Sequence, residues 1–94
     1  MTPYEQLADM AHTEAELARE GRWAEMIELG RARDELIANL PDTPPAQAFD
    51  ALTDAWRTAR ATAGQVSVSL AETRAALRAL HEGRRAIGAY FRAA

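Results

Sequence analysis

Residues 46–91 read AQAFDALTDAWRTARATAGQVSVSLAETRAALRALHEGRRAIGAYF. Apolar residues recur in this segment at alternating intervals of three and four. The series is Phe49, Leu52, Trp56, Ala59, Ala63, Val66, Leu70, Thr73, Leu77, Leu80, Arg84, Ile87 and Phe91, in which only Thr73 and Arg84 are polar. Such a repeat lies on one stripe of an α-helix, and a period of 3.5 residues keeps the stripe facing a partner helix. Because a helix with a long apolar stripe is not stable alone in water, we expect other helices to cover it.

Two shorter helices are predicted before this segment. The first opens with the capping sequence Thr2-Pro3-Tyr4-Glu5 and is expected over residues 3–20. Gly21 follows it as a typical helix C-terminal residue. The second helix is expected over residues 22–40, where a proline ends it. Since one glycine costs only about 1 kcal/mol inside a helix, a single long rod bent at Gly21 is the alternative.

The loop Pro41-Asp42-Thr43-Pro44-Pro45 leads to a third helix, expected over residues 45–82. Beyond Gly83, the tail over residues 84–93 either continues this helix or forms a separate short one. We therefore predict one all-α domain over residues 1–94, an antiparallel three-helix bundle with a long third helix and a short C-terminal helical tail. At 1.5 Å per residue, the first two helices are each about 27 Å long and the third about 55 Å, so the hairpin covers only about half of the third helix.

Composition and charge exclude several classes of protein. The 94 residues include no cysteine, which excludes disulfides and thiolate metal sites. No apolar run approaches the roughly 20 residues of a membrane span, and the N-terminus lacks the basic and apolar regions of a signal peptide. We therefore expect a cytoplasmic protein with no membrane partner. A net charge of −3 makes nucleic acid a poor partner.

The charge is distributed unevenly along the chain. Residues 1–47 contain ten acidic and four basic residues, whereas residues 48–94 contain four acidic and seven basic residues. The halves therefore carry charges of −6 and +3. The simpler interpretation is that the two halves pack and complement each other. The alternative is that the basic residues of the tail, Arg84, Arg85 and Arg92, attract an acidic partner.

No constellation of residues indicates catalysis. His12 and His81 are the only histidines, and although Asp9 and Glu16 have ligand spacing to His12, a metal site needs three or four ligands. The sequence contains no glycine-rich phosphate loop. We expect no metal, no cofactor and no enzymatic activity.

Four aromatic residues are candidates for packing or binding. Trp23 and Trp56 are predicted to be core anchors. Tyr90 and Phe91 differ because they lie at the end of the chain, beyond two glycines. Large aromatic residues at a terminus usually dock on another surface, which is here either the chain's own third helix or a partner.

Several short segments occur together in an order that is typical of one family. Tyr4-Glu5-Gln6-Leu7 precedes the turn Glu20-Gly21-Arg22-Trp23-Ala24-Glu25-Met26-Ile27. Residues 33–37 have the pattern Arg-x-x-Leu-Ile, and a proline-containing loop and the long heptad helix follow. The ending is Gly83-Arg84-Arg85-Ala86-Ile87-Gly88-Ala89-Tyr90. In this order and spacing, nearly the whole chain resembles the FliT family of flagellar export chaperones.

The resemblance implies a cytoplasmic, all-helical and non-enzymatic chaperone of the flagellar type III export system. Such chaperones bind the C-terminal helical segment of the filament-cap protein, prevent its premature assembly and hand it to the export machinery. The resemblance also implies that a C-terminal helix covers the client groove and inhibits binding. The matching positions in this chain are Ile87 and Tyr90, with Phe91 beside them.

An incompletely covered apolar stripe is what a helix-binding chaperone needs. We expect the groove for the client helix at Leu70, Leu77, Leu80 and Ile87, where each fully buried side chain contributes about 1.5–3 kcal/mol before ordering costs. A weak homodimer is compatible with this function. The alternatives are a structural coiled-coil protein, in which two third helices pair as a homodimer, and a chaperone for another secretion substrate.

Overall fold

The computed structural model describes residues 1–93, including the side chains of all of these except Phe91 and Ala93. These residues form three α-helices and no β-strand, so the all-α class is confirmed. The molecule is elongated, measuring 72 × 23 × 19 Å with a radius of gyration of 20.4 Å. A compact chain of this length has a radius of gyration of about 12 Å. The antiparallel bundle expected from the sequence is therefore not confirmed.

The first helix, α1, spans Pro3–Arg19. Oγ1 of Thr2 accepts a hydrogen bond of 3.1 Å from the backbone N–H of Glu5. Proline in the first turn costs no hydrogen bond, because the first N–H groups of a helix have no partner within the helix. The capping residues seen in the sequence therefore satisfy one of the free backbone donors of this helix.

The C-terminus of α1 ends in a sharp turn at Gly21. This residue has a φ of +71°, a backbone conformation in which a Cβ atom would be strained. The N–H of Gly21 donates to the carbonyl oxygen of Ala18 at 3.2 Å, and the N–H of Arg22 donates to that of Leu17 at 2.9 Å. This pattern is a Schellman motif. α1 and the next helix are therefore separate, and the rod bent at Gly21 is not formed.

The second helix, α2, spans Trp23–Ala38. The proline-rich loop and a short 3₁₀ helix, Ala46–Ala48, lead from it to α3. α3 spans Phe49–Ala93 without interruption, so a separate C-terminal tail over residues 84–93 is not formed. Gly83 does not break α3 because one glycine costs only about 1 kcal/mol, and the 3–4 repeat continues through it.

The buried core is thin and is formed mostly by α1. Its buried apolar residues are Tyr4, Leu7, Ala8, Ala11, Leu17 and Ala18. α2 has no buried residue, and no large side chain in the described part of the chain is fully buried. α1 packs against both other helices. The packing free energy of the fold therefore comes mainly from contacts of α1.

Two polar contacts connect α1 to its neighbours. Nη1 of Arg33 on α2 donates to both carboxylate oxygens of Glu14, at 2.8 and 2.7 Å. Glu14 is only 8% exposed, so water screens this ion pair little. Nε2 of His12 lies 3.0 Å from Oδ2 of Asp54 and links α1 to α3 at the surface. These contacts therefore fix the positions of α2 and α3 relative to α1.

α3 presents mainly small side chains on its covered face. Ala48 and Thr62 are buried there. Half-buried residues continue the same face, namely Ala51, Leu52, Ala55, Thr58, Gln65, Val66 and Ser69. Of the predicted apolar series, only Leu52 and Val66 belong to this set. The side chains on this face of α3 are small because the facing stripe of α1 is rich in alanine, and small side chains allow two helices to approach closely.

Candidate functional site

The covered part of α3 ends near residue 70. Every residue from 71 to 87 is exposed. The reason is length, since at 1.5 Å per residue α1 extends for about 26 Å and α3 for about 68 Å. Residues 71–93 of α3, about 35 Å of helix, lie past the part that α1 covers.

The predicted groove residues lie together on this uncovered part of α3. Leu70, Leu77, Leu80 and Ile87 form one stripe, which we call the distal stripe, and each is between 48% and 59% exposed. Their spacing keeps them on one side of the helix. The distal stripe continues the face that α1 covers, because Val66 precedes it at the same 3–4 spacing. Among the described residues, no second helix faces Leu77, Leu80 or Ile87, so this part of the stripe is an open surface and not a groove.

Among the described residues, two helices together form a groove at the proximal end of the distal stripe. There, one side chain of α2 and four of α3 line a depression of about 220 Å³, namely Trp23, Val66, Ser69, Leu70 and Thr73. Leu70 belongs both to this groove and to the distal stripe. A helix that lay along the distal stripe would therefore reach Trp23 at one end.

The prediction that Trp23 and Trp56 anchor the core is wrong. Trp23 is 39% exposed and forms a wall of the groove, whereas Trp56 is 60% exposed. The guanidinium of Arg60 lies 5.2 Å from the ring centroid of Trp56, a cation–π distance. The small side chains between α1 and α3 leave no space for an indole ring, so both rings lie outside the core.

A second exposed apolar surface consists of Phe49 and Trp56, and we call it the proximal patch. These residues are seven positions apart and therefore lie on the same side of α3. Phe49 is 70% exposed. Sequence reasoning missed this patch because it placed both residues on the covered stripe. The signal was present, since alanine precedes each of them, at positions 48 and 55, and can occupy the covered face instead.

The residues predicted to dock or to inhibit lie on the last turns of α3. Ile87 and Tyr90 are exposed. The side chain of Phe91 lies outside the described residues. Because α3 is continuous, this segment extends the distal stripe and does not lie over it. Inhibition by this segment stays a prediction.

The described residues include no group of three or more His, Cys, Asp or Glu side chains that could hold a metal ion. His12, the one candidate ligand with acidic residues at helical spacing, is instead paired with Asp54. Within the described chain, no helix combines the length and the apolar character needed to cross a membrane.

Comparison with known proteins identifies a family. The chain matches the family described as Flagellar protein FliT over residues 1–92, which include α1, α2, the distal stripe and all of α3 except its last residue. No curated protein and no solved structure matches it. FliT-family chaperones bind flagellar export substrates. The chain therefore belongs to the FliT family of flagellar export chaperones.

Proposed function

We propose that this chain binds the C-terminal helical segment of the filament-cap protein along the distal stripe and prevents its premature assembly. The family supports an export substrate as the partner. The observation that carries the proposal is the exposure of Leu70, Leu77 and Leu80 on a part of α3 beyond the end of α1. An amphipathic client helix would lay its apolar face along this stripe. Each large side chain that becomes fully buried would contribute about 1.5–3 kcal/mol before ordering costs.

The proposed cycle requires binding and release but no chemical step. The chaperone holds the client in the cytoplasm, where the client would otherwise assemble early, and then passes it to the export machinery. Neither a cofactor nor a catalytic group takes part. Release requires only that the export machinery compete for the same apolar surface of the client.

We also propose that Ile87, Tyr90 and Phe91 regulate access to the distal stripe. Gly83 separates these residues from Leu77 and Leu80, and a Cβ atom at Gly83 would have no neighbour within 4 Å. A bend at this glycine would bring the end of α3 back over the stripe. The extended helix described above is then the form that accepts a client, and the bent helix is the inhibited form.

Solution mass tests the main proposal. Light scattering is measured over a wide range of protein concentration, with and without a peptide from the C-terminal segment of the filament-cap protein. We expect a monomer, or a weak dimer, that gains one peptide per chain. A dimer that persists at all concentrations and does not bind the peptide would contradict the proposal.

The proximal patch favours a second candidate, a structural homodimer. Phe49 and Trp56 are more exposed than any residue of the distal stripe, so a partner that covered them would bury more apolar area per residue. In this case Trp56→Ala should reduce the mass of the dimer. The same substitution should leave peptide binding at the distal stripe unchanged.

A further inference from the structure

The distal stripe has a basic flank. Arginine or histidine recurs beside it at intervals of four, three, four and seven residues, at Arg74, Arg78, His81, Arg85 and Arg92. These intervals place the residues on one side of α3, next to the distal stripe, and we call them the basic ridge. On the other flank, Ala76 and Gly83 are small and uncharged, and Glu72 is acidic. The surface is therefore asymmetric in charge across the stripe.

Three of the four arginines of the α1–α2 hairpin, Arg22, Arg31 and Arg33, are paired with carboxylates, and Arg19 is in no ion pair within the described chain. Arg22 pairs with Glu20 and Glu25, and their hydrogen bonds raise the pKa of Arg22 above its ordinary value. Outside this turn, Arg31 pairs with Glu28 at 2.7 Å. The hairpin therefore uses part of its own acidic charge internally.

The arginines of the basic ridge differ from these three paired arginines of the hairpin. Within the described chain, no ion pair involves Arg74, Arg78 or Arg85. Residues 71–93 contain five arginines and two glutamates, a net charge of +3. The acidic half of the chain therefore does not neutralise this end of α3, and its charge is available to a partner.

Arg84 provides a second, independent observation. It occupies a position of the apolar series between Leu80 and Ile87, in the middle of the surface that a client helix would cover. A helix that lay there would remove the guanidinium from water, and burying an unpaired charge is strongly unfavourable. A carboxylate opposite Arg84 would remove that penalty and add a charge-assisted hydrogen bond.

The same charges disfavour a second copy of this chain on the distal stripe. In an antiparallel pair of α3 helices, equivalent flanks face each other, so one basic ridge would meet another. In a parallel pair, the basic ridge would meet the flank of Ala76 and Gly83, where Glu72 is the one carboxylate against the four arginines of the ridge. Neither pairing places a carboxylate opposite Arg84.

We propose that the partner of the distal stripe is an acidic amphipathic helix. Its apolar residues recur every three or four positions, and aspartate or glutamate residues on one flank pair with Arg74, Arg78 and Arg85. One further carboxylate lies opposite Arg84. This inference rests on the proposed function and specifies the chemistry of the client helix.

Two designed helical peptides test the proposal on the full chain. Both carry the same leucine stripe, and the residues on one flank are glutamate in the first peptide and glutamine in the second. Fluorescence anisotropy at low ionic strength should show about tenfold tighter binding of the glutamate peptide. Several exposed ion pairs form with this peptide, and each one increases the affinity by up to a few fold. The difference should disappear at high salt.

Matched variants assign the effect to the basic ridge. The triple variant R74Q/R78Q/R85Q should bind the two peptides equally, with the affinity of the glutamine peptide unchanged. The control R31Q removes one exposed arginine of the hairpin and should keep the tenfold difference. Far-UV circular dichroism verifies that each variant keeps its helix content.

The outcomes separate this inference from the proposed function. Equal binding of the two peptides by the unmodified chain overturns the acidic partner and leaves the distal stripe as a client site. If a filament-cap peptide binds but neither designed peptide does, the inference also fails while the proposed function stands. If no peptide binds, both fail. Dimerisation through the distal stripe, detected as a loss of dimer in Leu77→Asp, would show that the occupant is a second copy.

Discussion

Nη1 of Arg33 lies 2.7 Å from Oε2 of Glu14, and this shielded ion pair joins α2 to α1. The pair matters because α2 has no buried residue of its own. Glu14 is among the most buried charged side chains of the described chain. The stability of the fold depends on this pairing, since removing one member of a shielded pair leaves an uncompensated charge.

Arg33→Ala should therefore lower the free energy of unfolding by about 2–3 kcal/mol, measured by urea denaturation. Arg31→Ala is the matched control, because Arg31 pairs with the exposed Glu28 on the same helix. Its effect should stay within about 0.5 kcal/mol. Equal losses for the two variants would contradict a special role for the Glu14 pair.

Gly21→Ala should destabilise the chain by about 1–2 kcal/mol, because an alanine at a φ of +71° is strained. No atom lies within 4 Å of the added Cβ, so the loss would come from the backbone and not from a clash. Gly21→Asn should cost less, since asparagine tolerates this conformation better. Thermal unfolding monitored by circular dichroism measures both, and a larger loss for asparagine would refute the explanation.

The double variant Leu77→Ala/Leu80→Ala should weaken binding of a filament-cap peptide by about 2–4 kcal/mol, since two large side chains of the client site are removed. The unfolding free energy should change little because both residues are exposed. Val68→Ala is the control, since Val68 is an exposed residue of α3 outside the 3–4 series. Calorimetric titration measures the affinities, and an equal loss with Val68→Ala would place the client elsewhere.

The double variant Tyr90→Ala/Phe91→Ala should raise the apparent affinity for the client peptide if the end of α3 inhibits binding. The increase equals the factor by which the open fraction of the chain increases. Fluorescence anisotropy with a labelled peptide measures it. A decrease would mean that these residues contact the client, and an unchanged affinity would remove them from the mechanism.

Gly83→Ala tests the hinge directly. A Cβ atom at Gly83 or at Gly64 would have no neighbour within 4 Å, so alanine at either position should stabilise α3 by about 0.5–1 kcal/mol. Only Gly83→Ala should also raise client affinity, because Gly83 lies between Leu80 and the end of the chain, whereas Gly64 precedes the whole distal stripe. If Gly64→Ala raises affinity equally, general stiffening of α3 explains the result and the hinge is not needed.

The ends of α1 could be predicted because they depend on local chemistry. Thr2 caps whichever helix follows it, and Gly21 is favoured wherever a helix ends in a left-handed turn. The distal stripe was also accessible from sequence, since the lengths of the helices show that the hairpin is too short to cover α3. These inferences need no knowledge of which faces pack together.

The covered face of α3 could not be predicted in the same way. The series through Ala48, Ala55 and Thr62 is displaced by one position from the series through Phe49 and Trp56, and both repeat every seven residues. The larger apolar side chains of the second series would favour it as the covered face. The first series is covered instead, because the alanine-rich stripe of α1 approaches α3 closely. That choice depends on the distance between two helices, which the sequence of α3 alone does not contain.

The length of α3 beyond α1 has a consequence for how the molecule responds to a client. A lone helix in water is held by its own backbone hydrogen bonds and is only marginally stable. Amide protons after residue 70 should therefore exchange with solvent much faster than those around Thr62, where α1 is packed on α3. A bound client would slow exchange in the distal segment alone. Part of its binding free energy would offset the conformational entropy that the segment loses when it becomes ordered.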